Sequence, residues 1–242
     1  MTSDLLLRDL AIFCLQSTAI VAAAALAAFA GGLRAPRAAL AYWRSVLVAV
    51  MLLPFCQAWV AEPQPVATAI LSSAAVDVTA QEPAAVPRRT PRPSSSQVLV
   101  LLAAAVALRT LWLVAGAATL RRIRRSARAL DPLPDPIEHV QRRLETTAAF
   151  LVTGDSSGPM TYGVVRPVVF LPERVLSLDD PLVEAIASHE LMHVRRRDWL
   201  EELLLESMLT LLWFHPAVWW LAGRIRLSRE HVVDEVCGFS KL

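Results

Sequence analysis

The sequence predicts a mainly α-helical membrane protein: three transmembrane helices, then a small cytoplasmic α+β domain that includes a re-entrant helical hairpin. Three observations predict it. Three apolar runs stand in the first half of the chain, each close to the ~20 residues a helix needs to cross the hydrocarbon core. Strand-like and helix-like segments alternate between residues 131 and 198. A fourth apolar run is interrupted near its middle by His215-Pro216. The composition agrees, since 55% of the 242 residues are hydrophobic, more than a soluble domain of this size carries.

The net charge of +2 is too small to argue for direct nucleic-acid binding. Cys14, Cys56 and Cys237 form no CxxC pair, which argues against a disulfide scaffold and against a thiolate metal site. No internal repeat, Gly-rich phosphate loop or GxSxG elbow is present.

The transmembrane region is expected over 1–120. Its first span is 10–31, which contains no charge. Ala28-Phe29-Ala30 resembles a signal-peptide cleavage site, but Asp4, Arg8 and Asp9 replace the basic start of a leader, so a retained span is expected. The second span is 42–61, framed by Tyr42, Trp43 and Trp59 as interfacial aromatics frame a crossing. The loop 62–96 is rich in proline and ends in Ser94, Ser95 and Ser96, which reads as an external linker. The third span is 97–120, with Arg109 near its centre. A central arginine costs ~3 kcal/mol on insertion scales. The simpler reading is that it snorkels, or that the span is displaced toward its N-terminus; the other pairs it with Glu201, Glu202 or Glu206. Arg34, Arg37 and Arg44 after the first span, and Arg121, Arg122, Arg124, Arg125 and Arg128 after the third, mark the cytoplasmic side. The N-terminus is then outside, and 121–242 faces the cytoplasm.

Within 121–242, residues 137–147 read as a helix and 150–153 and 164–171 as strands. Arg166-Pro167 demotes the second strand to an edge, because proline donates nothing to a ladder. Ser177, Asp179 and Asp180 offer caps and Pro181 suits a first turn, so a helix is expected over about 181–197.

That helix contains His189-Glu190-Leu191-Met192-His193. Histidines four apart lie one turn apart on one face, so both imidazoles can reach a single ion. Leu182 and Ile186 continue that face, which predicts ligands emerging from the buried side. The plainer reading, two hydrogen-bonded core histidines, leaves Glu190 without a role. A catalytic zinc usually has three protein ligands and one open position. Glu201, Glu202, Glu206, His215, Glu230 and His231 compete for the third place. Glu230 is preferred: it shares a helix face with Asp234, so one can ligate while the other steadies a ligating histidine.

These motifs do not stand alone. Tyr162-Gly163-Val164-Val165-Arg166-Pro167 runs on to Leu171-Pro172. Ala187-Ser188 precedes the histidine motif and Arg195-Arg196-Arg197-Asp198 follows it. Trp213-Phe214-His215-Pro216 comes with Trp219-Trp220, and Arg229-Glu230 stands ahead of Asp234-Glu235. With the three-span N-terminal half, this pattern resembles the BlaR/MecR family of membrane antirepressor metallopeptidases. The resemblance implies a gluzincin-like metallopeptidase domain in which His189, His193 and Glu230 hold Zn and Glu190 is the general base. Val233 departs from the family, which places a cysteine there. The chain also stops at Leu242, where family members usually continue into a sensor or other tail, so beta-lactam sensing is not carried over.

Residues 207–223 carry no charge and could pass for a fourth span. A crossing between His193 and Glu230 would separate them by ~30 Å, too far to share an ion. The segment 199–223 is therefore expected to dip into the membrane and return at His215-Pro216, with His215 structural.

The chemistry expected is hydrolysis of peptide bonds in a cytoplasmic protein. Glu190 is catalytic, Asp234 and Asp198 orient ligands, and His231 is a candidate oxyanion donor. Gly163, Arg166 and Pro167 belong to the strand expected to receive substrate. By resemblance the substrate is a BlaI/MecI-like winged-helix repressor or the chain itself, in a bacterial inner membrane. Membrane lipid and a second copy of the chain are further candidate partners. Two rival readings remain: a quality-control membrane metallopeptidase of the HtpX type, and a truncated transducer that binds without cutting.

Overall fold

The computed structural model describes residues 3–56, 94–154 and 158–238. Among the described residues, three helices are long and apolar enough to cross a membrane: α1 (Ser3–Ala30), α2 (Pro36–Cys56) and α3 (Ser95–Ser126). The expected end of the second span at 57–61 and most of the proline-rich loop lie outside the described residues. Ser95 and Ser96, expected in that loop, form the first turn of α3 instead. The Ser94 hydroxyl accepts from the Gln97 amide while the Gln97 side chain accepts from the Ser94 amide. This reciprocal cap satisfies two donors that a helix start leaves orphaned. α3 also continues through Arg121, Arg122, Arg124 and Arg125. Its 32 residues span about 48 Å, so its basic end projects well past a hydrocarbon core of about 30 Å.

Arg109 does not snorkel. Its guanidinium donates to Glu206 at 3.0 Å and lies 4.5 Å over the Trp219 ring. Glu206 also accepts from Arg226 at 2.7 Å; Arg226 reaches Glu202 at 2.6 Å, and Glu202 accepts from Arg229 at 3.1 Å. An ionised side chain inside a bundle needs such partners.

Glu202 and Glu206 lie on α6 (Asp198–Leu211), and Arg226 and Arg229 on α7 (Pro216–Cys237). The two helices form a hairpin broken at 212–215, where Pro216 can only begin a new helix. His215 is 2% exposed at this tip. Its Nε2 lies 3.2 Å from the Cys14 carbonyl, and its ring meets Phe13 edge-on. Cys14 is near the middle of α1, so the tip reaches about half the depth of the helices. Leu205 and Leu209 of α6 and Val218 and Leu221 of α7 share a core with Phe13 and Val50 of α1 and α2.

The α+β part comprises β1 (Arg128–Ala129), α4 (Asp135–Leu144), β2 (Ala149–Thr153), β3 (Met160–Tyr162), β4 (Val168–Pro172) and α5 (Asp180–Arg196). The sheet order is β1-β2-β4-β3; β2 and β4 are parallel and the other pairs antiparallel. This corrects the expected edge strand. β4 is an interior strand, buried throughout. Pro167 falls just before it, and its carbonyl accepts from the Ala149 amide at 3.1 Å, so its missing N–H breaks no ladder bond. Gly163, Arg166 and Pro167 lie in the turn between β3 and β4. Among the described residues the free edge beside β4 belongs to β3.

α5 packs on α4 and the sheet through Val183, Ala187 and Leu191, a stripe of i, i+4 spacing that meets Ile137, Val140, Phe150 and Val169. Leu182 is exposed and Ile186 only half-buried, so the histidine face is not the buried face. The histidines instead sit on the flank turned toward α6 and α7. Arg197, at φ 57°, both closes α5 and opens α6, so a single residue turns the corner between them.

Candidate metal centre

One turn of α5 places His189 and His193 side by side, and the returning α7 brings Glu230 to them. His189 Nε2 is 3.2 Å from His193 Nε2. Glu230 Oε2 is 3.7 Å from His189 Nε2 and 3.5 Å from His193 Nε2. Ligands ~2.0–2.1 Å from a tetrahedral zinc are about 3.3 Å from one another. The triangle is therefore close to one face of a zinc tetrahedron, and its two nitrogens and one carboxylate oxygen are zinc donors by type. The residues fit the ion.

The surroundings orient these groups. Asp198, 4% exposed at the first turn of α6, accepts from His193 Nδ1 at 2.7 Å. That hydrogen bond turns the Nε2 lone pair toward the site. Asp234 Oδ1 lies 3.5 Å from His189 Nδ1, on the corresponding side of the other imidazole. Burial works against charge on His193, but Asp198 and Glu230 outweigh it and hold the imidazole up at about 9. His189 and then His193 hold the Glu230 carboxyl well below the usual carboxylate range. A surround that favours positive charge so strongly also favours a cation.

Glu190, next to His189 on α5, is 8% exposed. Its Oε2 accepts from the Thr161 hydroxyl at 2.8 Å. Thr161 is the middle residue of β3, so the sheet's free edge runs directly beside this carboxylate. A cleft of about 350 Å³ is bounded by Pro159, Met160 and Thr161 on one side and by His189, Glu190, His193 and Glu230 on the other. Trp199, Glu202 and Arg229 also line it.

Not every expected residue comes to this cleft. His231 is exposed and does not line it. Gly163, Arg166 and Pro167 do not line it either. His215 belongs to the hairpin tip. Sequence reasoning missed Thr161 and Arg229. Thr161 had a faint signal, a β-prone Met160-Thr161-Tyr162 triplet ahead of Gly163, but nothing local ties it to Glu190.

A family model described as BlaR1 peptidase M56 matches residues 10–237. Regulatory protein BlaR1 of Bacillus licheniformis is 32% identical over 76 residues. That stretch is 31% of this chain and only 13% of the relative.

Proposed function

We propose that this chain, which belongs to the BlaR1 peptidase M56 family, is a membrane zinc metalloendopeptidase that cuts a cytoplasmic protein in signal-responsive regulation. The observation that carries the proposal is the His189–His193–Glu230 triangle, closed within 4.8 Å, beside the Glu190 carboxylate. His189, His193 and Glu230 would hold the zinc. When bound, it would supply Lewis-acid polarisation of the scissile carbonyl and a more acidic water. Glu190 accepts the proton of the attacking water and passes it to the leaving amine. The Thr161 hydroxyl holds that carboxylate in place. Asp198 keeps the His193 ring turned inward, and Asp234 does the same for His189. A substrate segment adds to the free β3 edge as an extra strand, which draws its peptide bond past Glu190.

Two contacts support a cytoplasmic site. Arg37, in the basic stretch after α1, lies 4.0 Å from Glu235, and Arg44 grips Glu201 through two bonds of 2.6 and 2.7 Å. These contacts put the metal triangle at the arginine-rich end of the bundle, and such ends favour the cytoplasmic side of a bacterial inner membrane. The relative's designation as a regulatory protein supports a substrate of the BlaI/MecI-like winged-helix repressor kind, or the chain itself. Co-expression tests this. Full-length repressor should disappear with wild type and persist with Glu190→Gln; equal loss with both would remove the protease assignment.

A further inference from the structure

A second cleft, of about 480 Å³, shares no lining residue with the cleft at the metal triangle. It lies where α1 ends, with the 31–35 loop above it and α2 and α7 as its walls. Ala25, Ala28 and Phe29 form an apolar lower wall, while Arg34 and Arg224 supply a cationic rim. Trp43 and Trp220 stand between the two, their rings edge to face at 5.4 Å. The Arg224 guanidinium lies 5.5 Å from the Trp43 ring centroid and 5.9 Å from that of Trp220.

Two donors on residues that line this cleft lack an acceptor. Trp43 is 2% exposed, yet its indole Nε1 has no hydrogen-bond partner, and the buried Arg224 Nε has none either. Neither Arg34 nor Arg224 makes an ion pair among the described residues, although neighbouring arginines 37, 44 and 226 all do. Buried N–H groups without acceptors are rare, and each costs about 1–3 kcal/mol if left so. The occupant that resolves this has oxyanion acceptors at one end and apolar bulk at the other. Two unpaired arginines select a negative charge, and the aromatic and apolar wall at the end of a membrane helix selects a lipid.

We propose that this cleft binds the headgroup phosphodiester of an anionic membrane lipid. Trp43 Nε1 and Arg224 Nε donate to its phosphate oxygens, Arg34 closes over the headgroup, and an acyl chain descends along Ala25 and Phe29. The site is separate from the metal triangle, so the two assignments stand or fall independently.

The test uses the full chain, delipidated in detergent, titrated with dioleoylphosphatidylglycerol and read by thermal melting and native mass spectrometry. Wild type should gain stability and retain lipid. Trp43→Phe keeps the ring but loses one donor, and Arg224→Gln loses the charge; each should bind about tenfold more weakly. Trp43→Phe keeps the test valid if Arg224→Gln does not fold. Zinc content should match wild type in each folded variant. Dioleoylglycerol, which lacks the phosphate, should give no comparable shift. Wild-type affinity in both variants, or an equal shift from dioleoylglycerol, would overturn the site. An equal shift from inorganic phosphate alone would overturn the lipid assignment.

Discussion

The Thr161 hydroxyl donates to Glu190 Oε2 at 2.8 Å, which joins the free edge of the sheet to the carboxylate beside the metal triangle. In the proposed reaction the pair would make β3 both a substrate rail and a brace for the base. Thr161→Val keeps the shape and removes the donor. The expected result is a roughly tenfold fall in kcat, with KM little changed and zinc content unaltered. A fall in KM-dependent terms alone would show that Thr161 serves only the rail.

Asp198 reaches His193 Nδ1 at 2.7 Å from a buried position. Asp198→Ala should weaken zinc binding about 10- to 100-fold, the usual effect of losing a carboxylate behind a ligating histidine. Glu230→Ala should weaken it further, and Glu190→Gln should leave it near wild type. Competition with a fluorescent chelator measures all three. Wild-type affinity in Glu230→Ala would reject the third ligand.

Glu206 serves two cations, Arg109 of α3 and Arg226 of α7. Glu206→Leu strands Arg109 in a partly buried place and leaves Arg226 with Glu202 alone, and the expected loss is roughly 3 kcal/mol of stability. Arg109→Leu leaves Glu206 still paired with Arg226 and should cost clearly less. Thermal unfolding in one detergent ranks them; the reverse order would mean the pair does not hold α3 to the hairpin.

Gly163 turns the chain between β3 and β4 at φ +98°, and a Cβ there would come 3.0 Å from the Arg166 carbonyl oxygen. Gly163→Ala should destabilise the fold by about 1–3 kcal/mol. Because β3 carries Thr161, catalytic activity should fall along with the melting temperature. Unchanged melting would show that the turn relaxes freely.

The parts legible in the sequence were those governed by local rules. Two histidines four apart must share a helix face, and Pro216 must break a helix, so the α5 pair and the hairpin could both be read from spacing. Long-range geometry was not legible. Whether Pro167 sits inside a strand or one residue before it decides between edge and interior, and only the Ala149 pairing settles that. Arg109 had three possible acidic partners on one helix, and rotation of α6 against α3 selects Glu206. Leu182 and Leu191 look alike in a hydrophobic pattern; the position of α4 decides which is covered. Thr161 lies on a strand of three residues, too short to carry a period.

The one-residue corner at Arg197 leaves the chain no slack between two elements that must agree in phase. Adding a single residue there would rotate Asp198 by about 100° around the α6 axis and carry it off the His193 ring. Ordinary surface turns drift in length as sequences diverge. This corner can change its side chain but not its count, so length variants in homologous chains should gather elsewhere, in the stretch between α2 and α3.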